Sequence, residues 1–206
     1  MKIGVIGGGK VGGALARLAM AAGHEVRVGV QAADDDNGDG LARVSVTEAA
    51  TGEIVVLAIP YAACAQALPP LAPFLSGRIV VDATNPVAAD WSPLAMGENN
   101  SGAQDIARLL PSSRVVKAFN TVFADIMTPQ RLIRAGQLRT TAFVASDDDA
   151  ASAQVAAFAE SLGFAAQRVG ALANARYLEA MAHLNIAIAV GGGGTDACFL
   201  YDQARG

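Results

Sequence analysis

The chain has 206 residues, 52% of them hydrophobic and 17% charged, with a formal net charge of −4 and a pI near 5.1. That length supplies one sizeable core and is short for two independent domains. The acidic balance leaves no electrostatic footprint for nucleic acid or an anionic membrane, so the expected partners are small-molecule cofactors, with no nucleic acid and no membrane.

Taken in chain order, a first strand is expected at 2–6 and runs through glycines into a helix at 11–22. A second strand follows at 25–30, with a short one at 44–46. Strands at 54–59 and 78–82 flank a helix at 62–68. An irregular stretch rich in Pro, Asn and Gly covers 84–100 and leads to a helix at 103–110. Strands at 114–118 and 141–145, a helix at 149–162, a strand at 165–169 and a helix at 172–189 complete the pattern. Strand, helix and strand repeated in this way imply right-handed crossovers and an α/β fold, a doubly wound, mostly parallel sheet. The apolar composition suits such a sheet, whose strands are covered on both faces. No linker separates two domains. Residues 1–121 read as a dinucleotide-binding Rossmann part, and 122–206 as a short C-terminal α/β extension and tail packed with it as one compact unit.

Cys64 and Cys198 have no metal-ligand spacing and read as buried reduced thiols. The apolar run 3–22 is interrupted early by glycines in a strand-then-helix pattern, unlike a secretory leader. Residues 171–190 include Asn174, Arg176, Glu179, His183 and Asn185, too polar for a membrane span. A cytoplasmic location is expected.

The first strand, KIGVI, leads directly into GGGKVGG, where Gly7-x-Gly9-x-x-Gly12 has dinucleotide-binding spacing. Gly7 permits the tight turn, Gly9 lets the backbone approach a pyrophosphate, and Gly12 allows close helix–strand contact. Amides at the helix start, with the helix dipole, then face the phosphates, so Gly8, Lys10 and Val11 join the candidate set. A glycine-rich structural turn shares the spacing, but the strand before and the amphipathic helix after favour a nucleotide. His24 reads as a surface turn residue.

The end of the second strand decides between NAD and NADP. It usually carries an acid for the ribose of NAD or an Arg for the 2′-phosphate of NADP. Here it carries Val30 and Gln31, with no Arg nearby, followed by Asp34, Asp35 and Asp36. The aspartates either repel a 2′-phosphate or form a solvated loop, and Gln31 can bond either nucleotide. Locally the sequence leans to NAD.

Four further segments are IVVLAIPY (54–61), IVVDATNP (79–86), SGAQDIARLLPSSRVVKAFNT (101–121) and GALANARYLE (170–179). Together with the glycine loop they resemble the NADP oxidoreductases that use the deazaflavin coenzyme F420, a family similar also to the cytosolic reductase domain of six-transmembrane metalloreductases. The resemblance runs from residue 1 to about 189. It implies a nicotinamide lying across Ile59, Pro60, Ala83, Thr84, Asn85 and Pro86, with a deazaflavin stacked on it near Asn120, Thr121 and Val122. It further implies direct hydride transfer between the two rings and a preference for NADP(H). Val30-Gln31 departs from the Ser-Arg pattern that accompanies that preference.

Read from the residues alone, Ala58-Ile59-Pro60 and Thr84-Asn85-Pro86 end apolar strands abruptly, as strand terminators or as a crevice floor that Tyr61 borders. Asn85-Pro86 is a candidate cis peptide. Lys117 either binds an anionic cofactor tail or is a surface lysine. Asn120 is a candidate for holding a carboxamide or a ring carbonyl. His183 is expected hydrogen-bonded in the core, with Tyr177 and Glu179 serving packing and a salt bridge. Residues 191–194, four glycines, are expected to hinge a mobile tail, ACFLYDQ, that closes over the ring site or packs on a dimer partner. No Ser-Tyr-Lys, His-Asp or metal constellation is present, so no catalytic side chain and no metal ligand is assigned. That suits a positional catalyst whose second substrate is coenzyme F420 or a flavin, because such cofactors carry their own chemistry. Two other readings stand beside it. One is an NAD(P)-binding sensor without chemistry. The other is a small imine or keto reductase, for which the chain lacks room for the usual large helical domain. A symmetric homodimer is expected.

Overall fold

A computed structural model describes residues 1–31 and 39–203 of the chain. Six strands form one parallel sheet: β1 (Lys2–Ile6), β2 (Glu25–Gly29), β3 (Arg43–Val44), β4 (Ile54–Leu57), β5 (Ile79–Asp82) and β6 (Arg114–Lys117). Their spatial order is β3-β2-β1-β4-β5-β6. The order reverses between β1 and β4, and ligands of such sheets bind outside the carboxyl ends of the strands at that point. A parallel pair, β7 (Thr141–Val144) and β8 (Ala165–Arg168), adjoins β6 through an antiparallel bridge between Lys117 and Ala145. The doubly wound, mostly parallel α/β fold expected from the sequence is present.

Helices cover both faces, which is why β4 (IVVL) and β5 (IVVD) are buried at every position. On one face α1 (Lys10–Ala21) and α7 (Asp149–Ser161) contribute Leu15, Leu18, Val155 and Phe158 to one apolar cluster. On the other, α3 (Tyr61–Ala67), α4 (Ala72–Leu75) and α5 (Gly102–Leu109) contribute Cys64, Leu75 and Ile106 to a second. Each fully buried aliphatic of this kind contributes about 1.5–3 kcal/mol relative to exposure.

The segments that differ from the sequence reading include α4 and α6 (Pro129–Leu132), two one-turn helices that it did not place. The short third strand is Arg43–Val44, and Val46 instead opens the helix α2 (Val46–Ala49). The reason is local: Ser45 and Glu48 form an S-x-x-E capping sequence, and Ser45 Oγ accepts the Glu48 amide at 3.2 Å. The last helix, α8 (Ala175–Ile188), starts after a 3₁₀ turn at Leu172–Asn174 and loosens into a wide turn at Ala189–Gly193. His24 is docked on α7: Nε2 lies 2.9 Å from Ser161 Oγ, and the ring meets Phe158 edge-on at 5.5 Å. Burial, then the nearby N-terminal charge, lowers its pKa. Cys64 is buried and Cys198 half-buried, both as free thiols. Among the described residues no helix is long and apolar enough to cross a membrane.

Candidate functional site

The glycine loop is sterically committed. Gly7 has φ 107°, and a Cβ there would sit 2.4 Å from the Ala58 carbonyl oxygen. A Cβ on Gly12 would fall 1.9 Å from the Gly7 oxygen, whereas one on Gly9 would meet nothing within 4 Å. Gly7 and Gly12 thus let the turn close, and Gly9 leaves its outer side open. Helix α1 begins without a side-chain cap and without an acid in its first turn. Its first amides and its positive dipole end are therefore available to an anion, and a nucleotide pyrophosphate fits them.

At the end of β2, Val30 is half-buried and Gln31 exposed. A Cβ on Gly8 would come within 3.0 Å of Val30 Cγ1, so this strand end borders the loop. Asp34, Asp35 and Asp36 lie outside the described residues. Two arginines from outside the local sequence lie beside this strand. Arg43 holds Asp39 with two hydrogen bonds of 2.8 and 2.9 Å, and Arg17 approaches the same carboxylate at 3.7 Å. The Arg43 hydrogen bond, foremost, holds Asp39 down at about 2. Arg43 arrives from β3, paired beside β2, and Arg17 from α1, folded back over Gly13. Neither is a neighbour of Gln31 in sequence.

Lys117 is neither a surface residue nor a cleft cation. It is fully buried, with Nζ 2.8 Å from Asp82 Oδ2, 3.0 Å from Glu179 Oε1 and 2.7 Å from the Thr84 carbonyl oxygen. Burial alone would lower its pKa, but the charges of Asp82 and Glu179 outweigh it and raise the value. Asp82 Oδ1 accepts the Thr84 amide at 2.8 Å, and Glu179 accepts the amides of Gly102 and Ala103 at 3.0 and 3.2 Å. The dipole of α5 therefore helps to balance the second carboxylate. Glu179 makes the salt bridge expected of it, and this triad ties α8 to the carboxyl ends of β5 and β6. Tyr177 is exposed, with the Arg176 guanidinium 4.6 Å over its ring.

Above the triad lies a pair of asparagines. Asn85 Nδ2 donates to the Asn120 carbonyl oxygen at 2.8 Å, and Asn120 Nδ2 donates to Asn85 Oδ1 at 2.9 Å and to the Leu178 carbonyl oxygen at 3.0 Å. Both amide hydrogens of Asn120 are spent, so it does not hold a ring carbonyl. Phe119 before it has φ 64°, a left-handed conformation that costs on the order of 1–3 kcal/mol. The Phe119 ring is held against Phe158 and Phe164 at centroid distances of 6.1 and 5.4 Å.

A cleft of about 450 Å³ opens here. It brings together Lys10, Val11, Ala83, Asn85, Asn120, Thr121 and Val122 of the sequence-predicted set. The other members lie around it. Pro60 is exposed and Ile59 half-buried beside Gly7. Tyr61 turns away, its hydroxyl donating to Asp105 Oδ2 at 2.5 Å. Burial, then Asp105, raises its pKa. Thr84 is buried, and Pro86, buried after a trans peptide, offers its carbonyl oxygen to His183 Nε2 at 3.2 Å.

The sequence reading missed Trp91, Phe123, Asp125, Asn185, Ile186 and Thr195, which also line the cleft. One signal was present: Leu178, Ala182, Asn185 and Ala189 recur at helical spacing, with small residues where a ligand-facing wall needs room. The four-glycine turn leads into a segment tied to the body of the chain. Gly192 and Gly194 take positive φ of 100° and 71°, Thr195 hydrogen-bonds the Asp125 carboxylate, and Asp196 pairs with Arg134 at 3.4 Å. The tail then runs beside β7, where the Thr141 amide donates to the Phe199 carbonyl oxygen at 3.2 Å and Phe199 packs near Phe143 and Leu178. It covers its own chain rather than the ring site.

Comparison with known proteins agrees with this fold. The family described as NADP oxidoreductase, coenzyme F420-dependent, matches residues 2–86. Metalloreductase STEAP3 of Rattus norvegicus is 30% identical over 184 residues, covering 87% of this chain, which spans 36% of that protein's length. A provisionally assigned F420-dependent NADP-reductase from Arthrobacter sp. FB24 superposes with TM-score 0.85 at 28% identity, covering 98% of this chain and 100% of that one. An imine reductase from Streptomyces aurantiacus, at 22% identity and TM-score 0.59 over 91% of this chain and 61% of its own, shares the fold.

Proposed function

We propose, from the premise that this chain belongs through residues 2–86 to the family of coenzyme F420-dependent NADP oxidoreductases, that it is an NAD(P)-dependent oxidoreductase whose second substrate is a deazaflavin or flavin. The observation that carries this reading is the cleft, which opens off the glycine loop and has mostly apolar walls. In this reading Gly7, Gly8, Gly9, Lys10, Val11 and Gly12 hold the pyrophosphate, and Val30 and Gln31 border the adenosine. Ile59, Pro60, Tyr61, Ala83, Thr84, Asn85 and Pro86 form the floor and its surround, and Asn120, Thr121 and Val122 flank the second ring. The nicotinamide, when bound, supplies the hydride. The chain's part is to orient two planar rings and exclude water, and it needs no side-chain acid. Among the described residues, the charged ones lining the cleft are Lys10 and Asp125, and Asp125 already accepts a hydrogen bond from Thr195. An alcohol or keto acid would require a proton donor placed with the hydride.

Arg17, half-exposed beside the Arg43–Asp39 pair, supports NADP(H) over NAD(H), because a 2′-phosphate near β2 gains a charge-assisted partner there. A homodimer accompanies this reading, since α8 turns Leu184 and Ile188 outward, about half exposed. Two free thiols suit the cytoplasm.

The test mixes purified protein with oxidised coenzyme F420, FMN or FAD and either NADPH or NADH, and follows loss of the acceptor's visible absorbance. Turnover, faster with NADPH, is expected. Tight nucleotide binding with every acceptor unchanged would make the protein a sensor, and reduction of a cyclic imine instead would make it an imine reductase.

A further inference from the structure

Asp39 carries a carboxylate at the edge of the sheet where a dinucleotide presents its ribose. Arg43 donates to Asp39 Oδ1 and Oδ2 at 2.8 and 2.9 Å, and the Leu41 amide donates to Oδ1 at 3.2 Å. A guanidinium fork on two oxygens is how arginine holds a carboxylate or a phosphate. Arg17 stands 3.7 Å from Oδ2, so the acid also sits against the half-exposed cation of α1. With Arg43 holding it down at about 2, the group is fully charged at any ordinary pH.

Its place in the fold is specific. Arg43 pairs with Val28, one residue before β2 ends, and Arg17 folds back over Gly13 in the first turn of α1. The end of β2 is where a dinucleotide offers its 2′ position, as a hydroxyl in NAD(H) and a phosphate in NADP(H). A 2′-phosphate drawn to Arg17 therefore meets a carboxylate already there, which neutralises part of the attraction and adds a repulsion. The two sides of the ion pair are anchored differently. The Arg43 side chain is 5% exposed and rises from a paired strand. Asp39 is partly exposed and joins the buried Leu41 through Gly40, which has φ 74° and where a Cβ would meet nothing within 4 Å. The cation belongs to the framework, and the acid hangs from an unpacked glycine.

We propose that Asp39 sets the nucleotide preference: its carboxylate stands beside Arg17 where a 2′-phosphate would be held, has to yield that place to NADP(H), and so restrains the advantage that Arg17 gives NADP(H) over NAD(H). This rests on the nucleotide-binding half of the proposed function and adds to it a residue that opposes the phosphate.

The test is calorimetric titration of NADP+ and NAD+, which differ only in the 2′-phosphate, into wild-type and Asp39→Asn protein. Asparagine keeps the size of the side chain and an oxygen for the Leu41 amide, and removes the charge. NADP+ should bind the variant about tenfold more tightly than it binds wild type, and the gain should shrink with added salt. NAD+ should gain about twofold or less, because its remaining charges lie further off and are screened. An unchanged or lower NADP+ affinity would overturn the inference, as would equal gains for the two nucleotides, and each would leave the oxidoreductase reading intact. Binding of neither nucleotide to wild-type protein would remove that reading and this inference together. If Asp39→Asn does not fold, the wild-type protein decides by NMR. The Leu41 amide resonance, which senses the Asp39 carboxylate, should move with NADP+ and hold with NAD+. No movement, or the same movement with both, would overturn the inference.

Discussion

Around β1 and α1 the surface offered to a ligand is bare backbone, whereas around β6 and α8 it is side chain held in place by buried charge. The first region needs only absent Cβ atoms at Gly7 and Gly12 and an uncapped helix start. The second brings Lys117, Asp82 and Glu179 together from three different elements, close to the facing Asn85 and Asn120. A backbone site is specified by a short run of sequence and is damaged by added atoms. A side-chain site is specified by long-range contacts and is damaged by removed ones.

That contrast can be broken from either side. The largest effect is expected from Lys117→Ala, which strands two buried carboxylates and should cost about 3–5 kcal/mol, read by urea unfolding. An activity loss without a stability loss would show that Lys117 acts on the ligand and not on the fold. Gly12→Ala comes next. Its Cβ meets a backbone oxygen that cannot swing away, so the loop must shift, at a cost of about 1–3 kcal/mol in stability and with a clear loss of nucleotide affinity by titration. Unaltered NADPH binding by this variant would mean that the loop is only a structural turn.

Arg17→Ala sharpens the comparison at the edge of the backbone site. Its guanidinium is half-exposed, so solvent screening moderates its contribution. NADPH affinity should fall by roughly three- to tenfold while NADH affinity holds, and the difference should shrink with added salt. Equal losses for both nucleotides would remove the 2′-phosphate role. The smallest effect concerns His24. Its folded pKa lies below 6.5, so folding favours the neutral ring. The stability it contributes is complete above pH 6.5 and is lost as pH falls through the lower folded value. His24→Gln should flatten that part of the stability curve in thermal unfolding.

The legible features are those whose cause lies within a few residues. The alternation of strand and helix, the apolar strands IVVL and IVVD, and the glycine loop all follow from local spacing, as does the small-residue face of α8. Val46 could also have been read correctly, because the Ser45–Glu48 cap is a local signal that outweighs the β-preference of two valines. Arg43 could not, since β2–β3 pairing brings it to the strand end. The same holds for the tail, whose course beside β7 depends on Phe143 and Leu178.

The sequence by itself therefore determined a parallel α/β sheet with a tight glycine loop of dinucleotide-binding spacing, because periodicity and missing side chains act over one turn or one strand. Only the tertiary structure decided that Lys117 is an internal ion, that two arginines stand near the end of β2, and that Asn120 retains an unpaired oxygen. Each of those depends on which distant groups share a few ångströms of space, and hydrogen bonds and ion pairs are satisfied or left open at that range alone.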